Sequence, residues 1–291
     1  MSGSSLTLAI LLTFVSAVAI NWAWIREHDA ASALPPLSVR RPRRSLVMLL
    51  ENRGWITGFA AESGGFLCFV GALTLAPLAL VQSLAAGGIG VLAFLSSRMA
   101  GMRLTRRELV GVVVAVIGLA FLGISLAGAT GQGDEGVWAG ILGWLAASAV
   151  LAAVAVRYGA RLLGGAAAHG LAAGILFAAG DVVTKAVVTG GSRLLFIPAM
   201  ILAYSFGTIV LQLGFQRGGA LTTAGMTTLF TNALPIIAGT TLYDEPFPNG
   251  ELGVLRGIAF AMLIAGAALL SRPKPDAGHG VSESELELAG A

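Results

Sequence analysis

Residues 166–188 read AAAHGLAAGILFAAGDVVTKAVV, a run apolar enough to span a bilayer that nevertheless carries Asp181 and Lys185. A plain anchor would hold only Leu, Ala and Val there. On an α-helix at about 100° per residue, Gly170, Gly174, Ala178, Asp181 and Lys185 fall within about 80° of one another, so one face is small at its base and charged near its far end. A charged side chain at mid-membrane costs roughly 2.5–3.5 kcal/mol on insertion scales, which makes each such residue a functional candidate. The i,i+4 spacing predicts that Asp181 and Lys185 offset part of each other's cost. Lys185 also stands within about 5 Å of its helix end, close enough to snorkel, so the two are either a structural pair or part of a site.

Working outward, the composition agrees with this reading. The 291 residues are 56% hydrophobic and 11% charged, with mean hydropathy +0.85, which excludes a soluble globular domain and a disordered chain. The fold class is all-α, a polytopic transmembrane bundle. A pI near 9.5 would suggest nucleic acid in a soluble protein, but here the arginines sit in short loops between apolar runs, so no nucleic-acid partner is implied. The single cysteine, Cys68, allows no internal disulfide and no cysteine-based metal cluster.

In chain order, the expected spans are 6–25, 55–76, 77–94, 109–128, 137–156, 166–188, 194–215, 220–241 and 254–271. Each is near the roughly 20 residues that a 30 Å core requires. Trp22 and Trp24 close the first span at an expected interface, and the first basic residue, Arg26, follows it, so this is a retained anchor rather than a signal peptide. Residues 26–54 form the longest loop, with Arg40, Arg41, Arg43 and Arg44 and a short apolar piece, 45–50, placed to lie in the interface. Anionic headgroups would be attracted to that cluster, although the positive-inside rule alone accounts for it. The tail from 273, with Glu283, Glu285 and Glu287, reads as disordered.

With the N-terminus outside and the C-terminus in the cytoplasm, all of the 18 Lys and Arg except Lys185, Arg193 and Arg256 fall on the cytoplasmic side. The opposite orientation reverses that bias, so charge supports the nine-span count independently of hydropathy. Arg outnumbers Lys sixteen to two amid abundant Ala and Gly, which points to a GC-rich bacterial genome and a bacterial plasma membrane.

A weak repeat runs through the chain. GALTLAPLALVQSL from Gly71, followed by a charged loop and a Gly-rich span, is echoed by GFQRGGALTTAGM from Gly214 in the same layout, with Gly118 matched to Gly266. The first copy's loop, at Arg103, is expected in the cytoplasm and the second's, at Asp244, outside. The copies are therefore inverted, as in secondary transporters. The chain divides accordingly into a four-span half (1–132), a five-span half (133–272) and the acidic tail.

On these residues the chain resembles the drug/metabolite transporter superfamily, EamA-like, and within it the nine-span branch of NIPA-type magnesium transporters. The resemblance runs from Trp55 to Ser271. It is carried by Trp55-x-x-Gly58 with Glu62 ahead of Ala76-Pro77-Leu78-Ala79, by Gly180-Asp181-x-x-Thr184-Lys185, and by Asp244-Glu245-Pro246-Phe247. It implies two inverted helical halves working by alternating access, and a small metabolite or a divalent cation such as magnesium as substrate. Met102 stands where the second repeat has Glu245, a departure from symmetry at that loop.

Glu62 lies roughly 10 Å below the expected cytoplasmic interface. With no basic residue in its own span, it is the candidate for binding a proton or a cation in exchange for substrate. Gln82 and Ser83 in the third span, and Thr227, Thr231 and Asn232 in the eighth, are the polar groups available to line a site with Asp181 and Lys185. Thr223, Thr227 and Thr231 follow i,i+4 spacing, with Pro235 continuing the row. Pro235 cannot donate to the carbonyl of Thr231, so a backbone acceptor is freed there. The alternative for the threonines is bonding back to their own helix, and Gly111, Ala115 and Gly118 suit close helix packing. The chain carries no phosphate-binding Gly-rich loop, zinc helix or nucleophile elbow, so neither an enzyme nor a cofactor is expected. A non-transporting scaffold or accessory subunit and a lipid flippase stay open, and a homodimer is compatible with the layout.

Overall fold

The structure, a computed structural model, describes residues 3–38, 41–85, 88–99, 105–125, 134–245 and 250–271. All regular elements among these are helical: α1 (Gly3–Ala33), α2 (Pro42–Glu51), α3 (Arg53–Leu75), α4 (Leu78–Ala85), α5 (Gly88–Met99), α6 (Arg106–Ser125), α7 (Trp138–Val154), α8 (Ala160–Leu163), α9 (Gly165–Val188), α10 (Ile197–Phe215), α11 (Ala220–Leu242) and α12 (Glu251–Ser271). A π turn, Ala155–Gly159, joins α7 to α8, and a 3-10 turn, Gly191–Phe196, leads into α10. Arg40, Met102, Arg103, Pro246, Phe247, the end of the expected fourth span and the tail lie outside the described residues.

Five helices among the described residues are long and apolar enough to cross a membrane: Ser4–Ala33, Arg53–Leu75, Trp138–Leu163, Gly165–Val188 and Gly191–Phe215. This is a multi-pass helical membrane protein. Helices also stand at the other expected spans, the third as the pair α4 and α5, and the fourth, eighth and ninth as α6, α11 and α12.

Local chemistry sets the boundaries. Asn52 ends α2 and starts α3, its side-chain oxygen accepting the Trp55 N–H at 3.1 Å. Thr105 and Glu108 form a reciprocal capping box at the start of α6, with the Thr105 N–H on Glu108 Oε2 at 2.7 Å and the Glu108 N–H on Thr105 Oγ1 at 3.2 Å. α2 leaves Leu46, Val47 and Leu50 exposed beside exposed Arg43 and Arg44, the amphipathic surface expected for 45–50.

One expectation is corrected here. The first helix does not end at residue 25 but continues to Ala33, so Glu27, assigned above to a loop, is helical and fully buried. Trp24 is likewise buried at 4% exposure rather than interfacial. The reason is α3, which packs along α1. A Cβ at Gly58 would lie 2.8 Å from Glu27 Cγ, so the glycine lets the two helices close over the charged turn.

The centre of the bundle is α9. Of its most apolar window 78% is buried, against 22% for the windows at 138–163 and 191–215. It packs on α10, α11 and α7. Its contact with α11 is close: a Cβ at Gly170 would meet the Thr223 carbonyl oxygen at 2.4 Å, and one at Gly174 the Thr227 oxygen at 2.8 Å. This is the small-residue crossing that brings membrane helices together.

α6 pairs with α12, and the contact is reciprocal. A Cβ at Gly118 would meet Met262 Cβ at 2.9 Å and the Ala259 oxygen at 3.1 Å, while one at Gly266 would meet Ala115 Cβ and the Gly111 oxygen, each at 3.0 Å. Each glycine thus sits over the residues that precede the other, an antiparallel arrangement.

Candidate functional site

A cavity of about 420 Å³ opens between α1, α3, α4, α9, α10 and α11. Its lining is mostly apolar, with a few polar groups among aromatic rings. Asn21, Glu62, Gln82, Asp181 and Asn232 contribute the polar groups, and Trp24, Phe59, Phe66, Phe177 and Tyr204 the rings. Phe59, Ser63, Ile201 and Ser205 line it while also being exposed on the outer faces of α3 and α10.

Asp181 is held on two sides. Gln82 Nε2 donates to Oδ2 at 2.6 Å and the Tyr204 hydroxyl to Oδ1 at 2.6 Å. Tyr204 reaches α9 because residue 180 is glycine: a Cβ there would stand 2.9 Å from the ring. Thr184, one turn on, places its hydroxyl 3.1 Å from the Tyr204 oxygen. Hydrogen bonds to an ionised acceptor are the stronger kind, so these donors replace part of the hydration that burial removes.

The expected partnership of Asp181 with Lys185 is not what the structure shows. No ion pair joins them among the described residues, and Lys185, 3% exposed, does not line the cavity. Its charged neighbour is Glu245. The two side chains diverge because Asp181 is drawn toward Gln82 and Tyr204.

Glu245 does separate work. Its carboxylate accepts the N–H groups of Leu78 at 2.9 Å and Ala79 at 3.0 Å, satisfying the open first turn of α4. Burial pushes the Glu245 carboxyl above its ordinary range, against the opposing pull of the Ala79 N–H, Lys185, the Leu78 N–H and Arg256. α4 thereby carries Glu245 at its start and Gln82, the donor to Asp181, one turn further in.

Glu62 accepts Trp24 Nε1–H at 2.8 Å, and Trp24 stacks on Phe177 with centroids 6.0 Å apart. Behind it lies Glu27, whose carboxyl neighbours that of Glu62 and accepts from Gln212 Nε2. Glu27 does not itself line the cavity.

Of the other residues expected at a site, Thr231 and Asn232 line the cavity, whereas Ser83 and Thr227 do not. Ser83 donates to the Ala79 carbonyl at 2.7 Å. Thr227 donates to the carbonyls of Thr223 at 2.9 Å and Gly170 at 3.0 Å, tying α11 to α9. The Asn232 amide bonds back to Thr228 at 2.6 Å, leaving its carbonyl toward the cavity side of α11. Among the described residues no group of three or more His, Cys, Asp and Glu is arranged to hold a bare metal ion.

Sequence reasoning missed Glu27, Trp24 and Tyr204. Their signal was a line of polar groups on each helix: Ser16, Trp24 and Glu27 on α1, and Tyr204, Thr208 and Gln212 at i,i+4 spacing on α10. Such lines are easily lost in spans defined by mean hydropathy.

Over nearly its whole length the chain is similar to a protein of Arabidopsis thaliana described as "Probable magnesium transporter NIPA9". The two are 26% identical over 287 residues, covering 90% of this chain and 81% of the relative. No family model matches the chain, and no solved structure matches it.

Proposed function

We propose that this protein is a secondary transporter of the drug/metabolite superfamily, NIPA-like branch, that carries a divalent cation, magnesium foremost, by alternating access. The observation that carries the reading is the cavity: two acids, Glu62 and Asp181, face it, and no Lys, Arg or His lines it. A membrane bundle that bears the cost of two acids within its apolar helices without a lining cation is suited to a positively charged solute. Magnesium keeps most of its water, so an all-protein cage is not required. Six waters at about 30 Å³ each occupy roughly 180 Å³, less than half of the cavity volume.

The nine-span topology belongs to the same proposal. Gln216 hydrogen-bonds the backbone of Ala31, Leu34 and Leu37, and His28 lies 3.2 Å from the Gly218 oxygen; both segments fall at the expected cytoplasmic end. Glu245 meets Leu78 and Ala79 at the expected outer end. The reciprocal packing at Gly118 and Gly266 supports a pseudo-two-fold relation between inverted halves. Anionic lipid beside Arg41, Arg43 and Arg44 fits the exposed apolar face of α2.

The rings of Trp24, Phe59, Phe66, Phe177 and Tyr204 that line the cavity favour a second reading, a small organic solute. Purified protein in liposomes separates the two. Magnesium uptake above that of protein-free vesicles, with none for a panel of metabolites, is the expected result. Flux of a metabolite alone would select the second reading, and flux of neither would leave a scaffold or a flippase.

A further inference from the structure

The cavity has a side opening that the transport reading leaves unused. Among the described residues, every exposed side chain that lines it belongs to α3 (Phe59, Ser63, Leu67) or to α10 (Ile201, Ser205), while the lining from α1, α4, α9 and α11 is buried or half-buried. The mouth therefore lies between α3 and α10. One described ring contact crosses it, Phe66 meeting Tyr204 edge-on with centroids 4.8 Å apart. Beside that bar the exposed side chains include the small Ser63 and Ser205, which leave room for an entrant.

Depth decides what stands in front of this mouth. Both of its helices are long and apolar enough to cross a membrane. Ser63 lies next to the middle of Arg53–Leu75, and Ile201 and Ser205 flank the middle of Gly191–Phe215. In a hydrocarbon core about 30 Å thick, the mouth is roughly 15 Å from either interface, so it faces acyl chains rather than water or headgroups. It is continuous with the membrane-facing surface, for Ile56 on α3 and Leu202, Phe206 and Ile209 on α10 are exposed around it. The Ser63 hydroxyl donates to the Phe59 carbonyl of its own helix at 2.8 Å, which removes its demand for water. Within, the lining is mostly apolar, and apolar space takes up hydrocarbon more readily than water.

We propose that the mouth between α3 and α10 is a lipid site, which admits one acyl chain of a membrane phospholipid into the cavity. The tail lies against Phe59, Phe66, Leu67 and Ile201 and reaches Phe177 on α9. The headgroup stays at the interface, because its charges would lose their water at the depth of the mouth. The inference goes beyond the transport reading and holds whichever solute is carried. Chain and solute occupy the same space, so a bound chain must leave before the solute can enter.

The buried place of α9 makes the test sharp. Phe177 and Asp181 are each 5% exposed, so a lipid chain can reach them only from inside the cavity. Purified full-length protein is reconstituted in liposomes that contain phosphatidylcholine with a photoactivatable diazirine near the end of one chain. After irradiation, the adducts are mapped by peptide mass spectrometry. They should appear on α9 between Phe177 and Asp181, as well as on the exposed face of α7 at Leu142, Val150 and Leu151, which any surrounding lipid touches. Ser63→Phe combined with Ser205→Phe fills the mouth and should lower the α9 yield at least tenfold. The α7 yield should stay the same, and thermal unfolding confirms that the variant is folded. The proposal is overturned by a wild type labelled on α7 but not on α9, or by an α9 yield that filling the mouth leaves unchanged. Near-complete disulfide formation between two copies carrying Ser205→Cys, in a Cys68→Ser background in liposomes, would place a second copy at the mouth and overturn it as well.

Discussion

Each acid in the cavity owes its place to named neighbours. Asp181 has the Gln82 amide and the Tyr204 hydroxyl, and Glu62 has the Trp24 indole N–H. This separates charge from fold at residue 62. In Glu62→Gln the amide oxygen can still accept from Trp24, and its NH₂ can donate to Glu27, so the variant should insert and unfold at nearly the wild-type temperature. Its Mg²⁺ flux in liposomes should nevertheless fall at least tenfold; wild-type flux in the folded variant would remove Glu62 from the site. Glu62 and Asp181 were legible because an acid inside an apolar run stands out. Glu27 was not, because Arg26 and Glu27 together end any hydropathy window. Only the space left by Gly58, on another helix, shows that the chain stays buried past them.

At the scale of the helices, composition predicts existence better than extent. Apolar runs of about 20 residues announce themselves: among the described residues helices stand at or within the expected runs, and five are long and apolar enough to cross a membrane. The π turn at Ala155–Gly159, the run of α1 to Ala33 and the place of α9 at the centre are set by neighbours and leave little mark on local sequence. The small residues of α9 did signal a close approach, and they give a paired test. Gly170→Ala puts a methyl 2.4 Å from the Thr223 carbonyl oxygen, a rigid backbone atom, so the crossing must open at a cost of about 1–3 kcal/mol. Gly143→Ala, on α7, meets nothing within reach and gains up to about 1 kcal/mol of helix propensity. Thermal unfolding in detergent should therefore move down for the first and stay or rise for the second. Equal shifts would mean that α9 and α11 do not cross there.

For the whole molecule, orientation is the property that charge alone predicts. Asp134 is exposed at the end that holds Tyr243 and Glu245, its N–H bonded to the Tyr243 carbonyl at 2.5 Å. In a Cys68→Ser background, Asp134→Cys should react with a membrane-impermeant maleimide added outside intact cells. Labelling only after the cytoplasm is opened would invert the proposed topology. Substrate identity was the least legible property, because it depends on how side chains from six helices converge around one cavity, and hydropathy is blind to convergence.

The reciprocal seat of Gly118 and Gly266 makes the two positions thermodynamically dependent on one another. Once α6 and α12 have moved apart to admit a methyl at one glycine, the other finds room already made, so the double alanine variant should lose less stability than its two parents combined. Such sub-additivity would mark the seam as one shared contact, where a change on one side can be traded against a change on the other.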